Sequence, residues 1–238
     1  MISFIIPTLN EGKIIEETLE SLLLYTGEKE IIVSDGHSSD KTVEIAERYS
    51  TVVRHDGSFR QTIAAGKNAG AKVAHGKYLV FLDADVSIPD INSFFQRAID
   101  LFNSNDKLVG LAVPIKVLQE NETIMDKIVF SIFNLFNYIS NNIFRIGAAV
   151  GEFQMVRKDI FEKVGGYDEK LVASEDYDFF RKISKVGKTY FAKDIVIYHT
   201  GRRAHTIGWS RLLYQWISNG LSVLFFKKAV NKEWEEIR

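Results

Sequence analysis

Cysteine is absent from the 238 residues, which excludes disulfides, thiolate metal sites and a cysteine nucleophile. The absence fits a reducing compartment. Proline occurs three times and no stretch is rich in Ser or Gly, so composition marks no linker and no domain boundary. Charge of one sign is also lacking: 30 Lys and Arg against 31 Asp and Glu leave a formal net charge of −1. That balance gives no electrostatic argument for nucleic acid as a partner. No apolar run approaches the roughly 20 residues that a membrane-spanning helix needs. The greasiest stretch, residues 220–226, is short and ends at Lys227-Lys228. The start, Met-Ile-Ser-Phe-Ile-Ile-Pro, lacks a basic segment and a cleavage site, so no signal peptide is expected.

Several chemical motifs are missing as well. No Gly-x-Gly-x-x-Gly follows a strand, which removes the main support for a dinucleotide site. No Gly-x-Ser-x-Gly elbow occurs, and the five His are scattered without zinc-site spacing. Residues 70–77 fail as a phosphate loop. Their spacing is off by one residue, Tyr78 stands in place of Ser or Thr, and a strand follows them instead of preceding them.

What is present is a globular composition, 46% hydrophobic and 26% charged, long enough for one large domain or two small ones. Short apolar runs alternate with helical periodicity in the first half. Strands are expected over residues 2–6, 31–33, 51–54, 78–82 and 109–115, and helices over 11–25, 40–49, 59–74 and 91–102. Ser39 or Asp40 is placed to cap the second helix. The alternation predicts an α/β fold with a mostly parallel sheet and helices on both faces. Ligands bind such sheets at the carboxyl ends of strands, where Thr8, Asp35 and Asp83 fall. The second half changes character. A long aromatic-rich helix is expected over 123–144, a Gly-rich strand-like segment over 147–156, and helices over 158–164 and 174–186. One or two strands over 190–198 and a last helix over 209–226 complete the chain.

Residues 78–85, Tyr-Leu-Val-Phe-Leu-Asp-Ala-Asp, run an apolar strand straight into two carboxylates. Alternation along an extended chain puts Asp83 and Asp85 on the same side. A divalent cation relieves their repulsion, and hard oxygen ligands suit magnesium or manganese with positions left open for substrate phosphates. The plain alternative is a polar strand end before the turn at Ile88-Pro89-Asp90.

Further motifs assemble around this one. Ile5-Ile6-Pro7-Thr8-Leu9-Asn10-Glu11 resembles the first strand and turn of family 2 glycosyltransferases. Val33-Ser34-Asp35-Gly36 with Ser38-Ser39-Asp40-Lys41-Thr42 resembles their second strand end. Gly66-Lys67-Asn68-Ala69-Gly70 precedes the Asp83-Ala84-Asp85 motif as in that family. Gly165-Gly166-Tyr167-Asp168-Glu169 and Ser174-Glu175-Asp176 match its later markers. The resemblance covers nearly the whole chain in order, and it implies the GT-A fold, a nucleotide-sugar-binding α/β sandwich.

The resemblance also implies roles. Pro7, Thr8, Glu11 and Asp35 would hold the nucleoside, with Lys67, Asp83 and Ala84 also at the nucleotide sugar. Asp85 would be the direct metal ligand, and Asp83 would contact ribose or metal. The cofactor would be Mn2+ or Mg2+. Asp176 would be the general base of a single inverting displacement, with Gly151, Glu152 and Glu175 at the acceptor. For Asp176 the alternative is a favourable partner of a helix dipole, and for Asp35 an ordinary turn residue. His199, as a further metal ligand, and Arg202 and Arg203, as diphosphate contacts, carry family roles against a solvated basic loop. His37 is given no role beyond tolerating a left-handed turn. Leu9 and Ser87 depart from the family pattern and leave the donor unidentified.

The implied organisation is one catalytic domain over 1–208, with a nucleotide-binding half over 1–115 and an acceptor half over 116–208. A C-terminal amphipathic helix and tail follow over 209–238, and no spanning helix is expected. In the last helix Trp209, Leu212, Leu213, Trp216, Ile217 and Leu221 share an apolar face. Arg211, Gln215, Ser218 and Asn219 share the other. In the 123–144 helix Ile128, Ile132, Leu135 and Phe136 share a face, opposite Lys127, Ser131 and Asn134. Such helices suit a membrane surface, the sheet, or a second subunit in a homo-oligomer. The expected setting is cytoplasmic, or peripheral at the cytoplasmic face of a membrane. The expected partners are a nucleotide-diphosphate sugar and a glycan, lipid-linked or small-molecule acceptor. A sugar-phosphate nucleotidyltransferase is the enzyme alternative, weakened because Asn10-Glu11-Gly12-Lys13 makes a poor triphosphate loop. A non-catalytic nucleotide-sugar-binding or membrane scaffold subunit is the other, and the intact Asp83, Asp85 and Asp176 argue against it.

Overall fold

The computed structural model describes residues 1–231. Strands β1 (Ile2–Thr8), β2 (Lys29–Asp35), β3 (Thr51–Arg54) and β4 (Tyr78–Leu82) pair in parallel in the order β3-β2-β1-β4. The register sets Thr8 beside Asp35 and Ile5 beside Phe81, so the carboxyl ends of β1, β2 and β4 share one edge. Side-chain alternation divides the core. Phe4, Ile6, Val80 and Leu82 face one layer, and Ile5, Leu79 and Phe81 the other. The α/β expectation holds, with a qualification on strand direction. Strand β8 (Phe153–Arg157) runs antiparallel between β4 and β6 (Leu108–Ala112), and β9 (Lys188–Phe191) closes the sheet beside β6.

Helices α1 (Ile15–Leu23), α2 (Thr42–Ala46), α3 (Ile63–Val73) and α4 (Ile91–Asn103) connect these strands. Helices α1, α2 and α3 start later than the periodicity suggests. Residues 12–14 form turns, Thr62 caps α3 by accepting from the Ala65 N–H, and Asp40 bonds the Thr42 N–H ahead of α2. Asp90, at φ +44°, accepts from the Ser93 N–H to cap α4. On α3, Gly66 and Gly70 lie against the sheet. A Cβ at Gly70 would come within 2.5 Å of Ile5 Cγ2. Glycine at this spacing lets the helix approach β1 and carries Lys67 to the strand ends.

The expected 109–115 strand is two strands. Pro114 lacks an N–H for the ladder, and the chain leaves β6 for β7 (Ile115–Val117), whose Ile115 backbone is bonded on both sides by the Asn134 amide. β7 joins a second sheet in the order β5 (Val86–Ser87), β10 (Ile197–His199), β7. This small sheet sets His199 opposite Val86, next to Asp85.

The expected 123–144 helix is α5 (Ile124–Tyr138) followed by one π-helical turn over Ile139–Ile143. The Asn141 side chain bonds the Asn137 carbonyl and both backbone groups of Ala148, which widens the turn there. The strand-like segment shortens to β8 because Gly147, at φ +74°, turns the chain against Phe180. Helix α6 (Lys158–Val164) keeps its expected bounds, and α7 (Glu175–Ile183) is shorter at its carboxyl end than expected. The basic segment after β10 is a helix, α8 (Arg202–Ile207), not a loop. The last helix, α9 (Trp209–Phe226), has the expected bounds. Its Asn219 is not on a solvent face. It is buried and accepts from the Val230 and Asn231 N–H groups where the chain folds back. Residues 232–238 of the expected tail lie outside the described residues.

Candidate active site

The motif residues of β1 and β2 tie two turns together before they bind anything. The Asn10 N–H donates to Ser38 Oγ, the Glu11 N–H to Thr42 Oγ1 and the Gly12 N–H to Asp40 Oδ2. Asn10 and His37 hold positive φ of 56° and 75°, so the His37 expectation stands. Asp35 does what its turn alternative requires. It is fully buried, and its Oδ2 accepts from the His37 and Ser38 N–H groups, each at 3.0 Å. A carboxylate bonded two and three residues ahead organises its own turn. Its neighbours Ser34 and Gly36 line the cavity instead, while Asp35 Oδ1 is buried with no protein partner.

That cavity, about 1040 Å³, lies at the carboxyl ends of β1 and β4. Apart from Asp35, all the residues singled out above for donor, acceptor, metal and base line it, from Pro7 and Thr8 to Arg202 and Arg203. Asp83 and Asp85 enter from the turn after β4, where Thr18 on α1 holds the intervening Ala84 carbonyl at 2.6 Å. Asp85 Oδ2 accepts from Thr200 Oγ1 at 2.5 Å. Glu152 faces them from the segment before β8. Glu175 and Asp176 occupy the first turn of α7, where the Gln154 amide bonds the Asp176 carbonyl. The Lys67 ammonium, fully buried, sits 3.0 Å from Glu175 Oε1 and 5.1 Å from the Tyr167 ring centre.

Carboxylates outnumber cations here, and the titration directions follow. Burial raises the Asp83 carboxyl to about 8, with Glu152 adding to the rise and Lys67 opposing it. Burial raises Glu152 and Asp176 to about 7, with Asp85 acting on Glu152 and Glu175 on Asp176. Burial opposes the charge on Lys67, but Glu175, Asp83 and Asp176 outweigh it and keep the ammonium protonated. Burial and mutual repulsion thus raise the proton affinity of all three carboxyls, a cost that a bound cation would relieve.

Asp83 and Asp85 fit a divalent metal of oxygen preference. Among the described residues no three His, Cys, Asp or Glu converge to hold an ion by themselves. One or two carboxylates completed by substrate phosphates is the arrangement magnesium favours. His199 contributes differently from the other two. Burial lowers its pKa against the pull of Asp85 and Asp126, Nδ1 accepts from the Gly201 N–H, and Nε2 is buried without a partner. A metal-ligating Nε2 needs the other tautomer, which forfeits the Gly201 bond. Arg202 grips Glu11 with both terminal nitrogens, at 3.1 and 3.4 Å, bridging α8 to the β1 turn.

The sequence reading missed Arg60 and Gln61, which line the cavity from the turn before α3, and the apolar wall from α5 and α9. No local pattern marks Arg60. The apolar wall was visible as periodicity, but its place beside the carboxylates was not.

A family model described as Glycosyl transferase family 2 matches residues 3–165. The chain belongs to that family. It is 31% identical over 184 residues to a poly-beta-1,6-N-acetyl-D-glucosamine synthase of Staphylococcus epidermidis, covering 73% of this chain and 43% of that protein. It is 29% identical over 210 residues to the succinoglycan biosynthesis protein ExoA of Rhizobium meliloti, covering 80% and 60%. This family 2 chain thus spans between about two fifths and two thirds of the curated relatives it matches. Its fold is shared with the mannosyltransferase PcManGT from Pyrobaculum calidifontis, solved with GDP-Man and Mn2+ (TM-score 0.75, 19% identity, 96% of this chain and 65% of that one). It is also shared with residues 1–349 of S. aureus TarS in complex with UDP (TM-score 0.65, 21% identity, 83% and 59%). The fold is the GT-A type.

Proposed function

We propose that this glycosyltransferase moves a sugar from a nucleoside diphosphate sugar to an acceptor hydroxyl or phosphate, with inversion at the anomeric carbon. One observation carries the reading: Asp83 and Asp85 stand on one wall of a single cavity whose other walls carry Asp176 and the buried Lys67. The GDP-Man and Mn2+ bound to PcManGT and the UDP bound to TarS support a nucleotide donor and a divalent cation.

Residues 1–115 would supply the donor half and 116–208 the acceptor half. Pro7, Thr8 and Glu11 would border the nucleoside, and Asp83 and Asp85 would hold Mn2+ or Mg2+. A bound divalent cation supplies charge neutralisation at the leaving diphosphate. Arg202, with Arg203 beside it, is placed to exchange Glu11 for the diphosphate, the partner its fork matches equally well. Asp176 accepts the proton of an acceptor hydroxyl. The acceptor oxygen bonds the anomeric carbon as the bond to the diphosphate oxygen breaks, and that electron pair leaves with the nucleoside diphosphate. A buried carboxyl of raised proton affinity is a stronger base than an exposed one, provided a neighbouring cation keeps it ionised. Lys67 is that cation. An acceptor phosphate arrives already ionised, and Asp176 then orients it.

The test is calorimetry with UDP-, GDP- and dTDP-sugars, with and without manganese. Metal-dependent binding of one donor, lost in Asp85→Ala, is expected. A folded protein that binds none of them with metal present overturns the reading.

A further inference from the structure

Gln154 on β8 is a fully buried amide with both of its ends bonded. Its Nε2 donates to the Asp176 carbonyl at 3.1 Å, and its Oε1 accepts from the Tyr167 hydroxyl. The partners fix this orientation. A backbone carbonyl only accepts, so the amide nitrogen faces Asp176 and the amide oxygen faces Tyr167. The phenol must then donate. Burial, with Glu175 and Asp176 adding to it, raises the Tyr167 pKa well above the ordinary tyrosine value and keeps that proton in place.

Tyr167 is itself held from several sides. The Asn68 side chain on α3 accepts from its backbone N–H at 2.9 Å and donates to its carbonyl at 3.0 Å. Its ring packs against Phe81, Phe161 and Phe179, with centroids 4.3 to 5.8 Å away. The chain of contacts therefore runs from α3 through Tyr167 and Gln154 to the first turn of α7.

That turn needs an outside hold. Ser174, directly before Glu175 and Asp176, has φ +60°, and its side chain makes no capping bond. A residue other than glycine in the left-handed region is costly and persists only where its surroundings over-determine it. Asp176 Oδ1 accepts from the Tyr177 N–H at 2.7 Å. Its Oδ2 lies 3.5 Å from the Cβ position of Gly151, on the side of Lys67. A base misplaced by about 1 Å costs up to about a hundredfold in rate.

We propose that Gln154 and Tyr167 are positioning residues for the displacement. Tyr167, fixed to α3 by Asn68, holds the Gln154 amide, and that amide holds the start of α7 so that Asp176 Oδ2 points at the attacking oxygen. Neither residue lines the cavity, so both act through Asp176. The inference rests on the transferase reading above and adds two residues to it. A buried pair of purely structural value would lower stability without separating kcat from donor affinity.

The test uses the full chain, manganese and the donor that calorimetry selects, with water as the acceptor. The water oxygen bonds the anomeric carbon, its proton goes to Asp176, and the nucleoside diphosphate departs with the bonding pair. Its release is followed for the wild type, Tyr167→Phe, Gln154→Met, the double variant and Asp176→Asn, each checked as folded by circular dichroism. Gln154→Met is expected to lower kcat at least tenfold and Tyr167→Phe at least threefold, with donor Kd unchanged within twofold. Because Tyr167 acts through Gln154, the double variant is expected to match Gln154→Met. Tyr167→Phe removes one oxygen from a ring that stays packed, which keeps the test decisive should Gln154→Met not fold. A wild-type kcat in Tyr167→Phe, a kcat loss matched by an equal loss of donor affinity, or losses that multiply in the double variant overturn the proposal. If no donor binds, or the wild type turns over no faster than Asp176→Asn, the transferase reading fails and this inference with it. A slow Asp176→Asn beside a wild-type rate in Tyr167→Phe sinks this inference alone.

Discussion

Lys67 places a fully buried ammonium among Glu175, Asp83 and Asp176, and each side of that arrangement depends on the other. The carboxylates keep the lysine charged against burial, and the lysine limits how far their proton affinity rises. Lys67→Met removes the cation and leaves the cluster binding protons more tightly. The acidic limb of the kcat/KM profile is therefore expected to move to higher pH, because more of the base is protonated at any given pH. A pH series on the folded variant checks this, and a limb that stays in place removes Lys67 from the role given above. The residue type was readable in the Gly66-Lys67-Asn68 motif. Its pairing with Glu175, 108 positions away in sequence, was not, because only the fold brings α3 and α7 together.

At the scale of the element, glycine and proline carried the most information, yet each needed its surroundings to be interpreted. Gly66 and Gly70 share a helical face that sequence alone reads as small. The structure shows it to be a contact with β1, with no room for a Cβ at Gly70. Gly70→Ala is expected to destabilise by about 1–3 kcal/mol through overpacking. Gly220→Ala, with nothing within 4 Å of its Cβ position, is expected to stabilise by up to about 1 kcal/mol from helix propensity. Denaturant midpoints of the two variants give the comparison, and equal shifts contradict the packing argument. Pro114 signals a break in the ladder by its missing N–H, but that the chain changes sheets there depends on Asn134 bonding Ile115 from α5. The π turn after α5 is similarly illegible, since it rests on Asn141 reaching Ala148.

Across the whole molecule, Asp126 joins the two helices of the cavity's apolar wall, α5 and α9, to α8. Buried on α5, it accepts from the Thr123 N–H, from His205 on α8 at 2.8 Å and from Trp209 at the start of α9 at 2.9 Å. Burial pushes its carboxyl up, but these bonds outweigh burial and hold it below the ordinary carboxylate value. A lowered folded-state pKa gives stability that is present above the unfolded value and lost as pH falls through the folded one. Asp126→Ala is expected to cost roughly 1–3 kcal/mol at neutral pH by leaving the donors unpaired. The deficit should shrink in acid, which thermal unfolding at several pH values measures; a deficit independent of pH contradicts the sign.

The sequence by itself determined the α/β layering, the strand that ends in Asp83 and Asp85, and the family. Apolar periodicity and strand-end motifs are local, and a few residues suffice to write them. Tertiary structure decided that β8 inserts antiparallel, that Asp35 serves its turn, that Arg202 closes on Glu11, and that one cavity runs from the carboxylates to the exposed faces of α5 and α9. Those outcomes depend on which distant surfaces meet. Contacts between residues far apart in the chain are set by the packing of whole elements, and no window of sequence contains them.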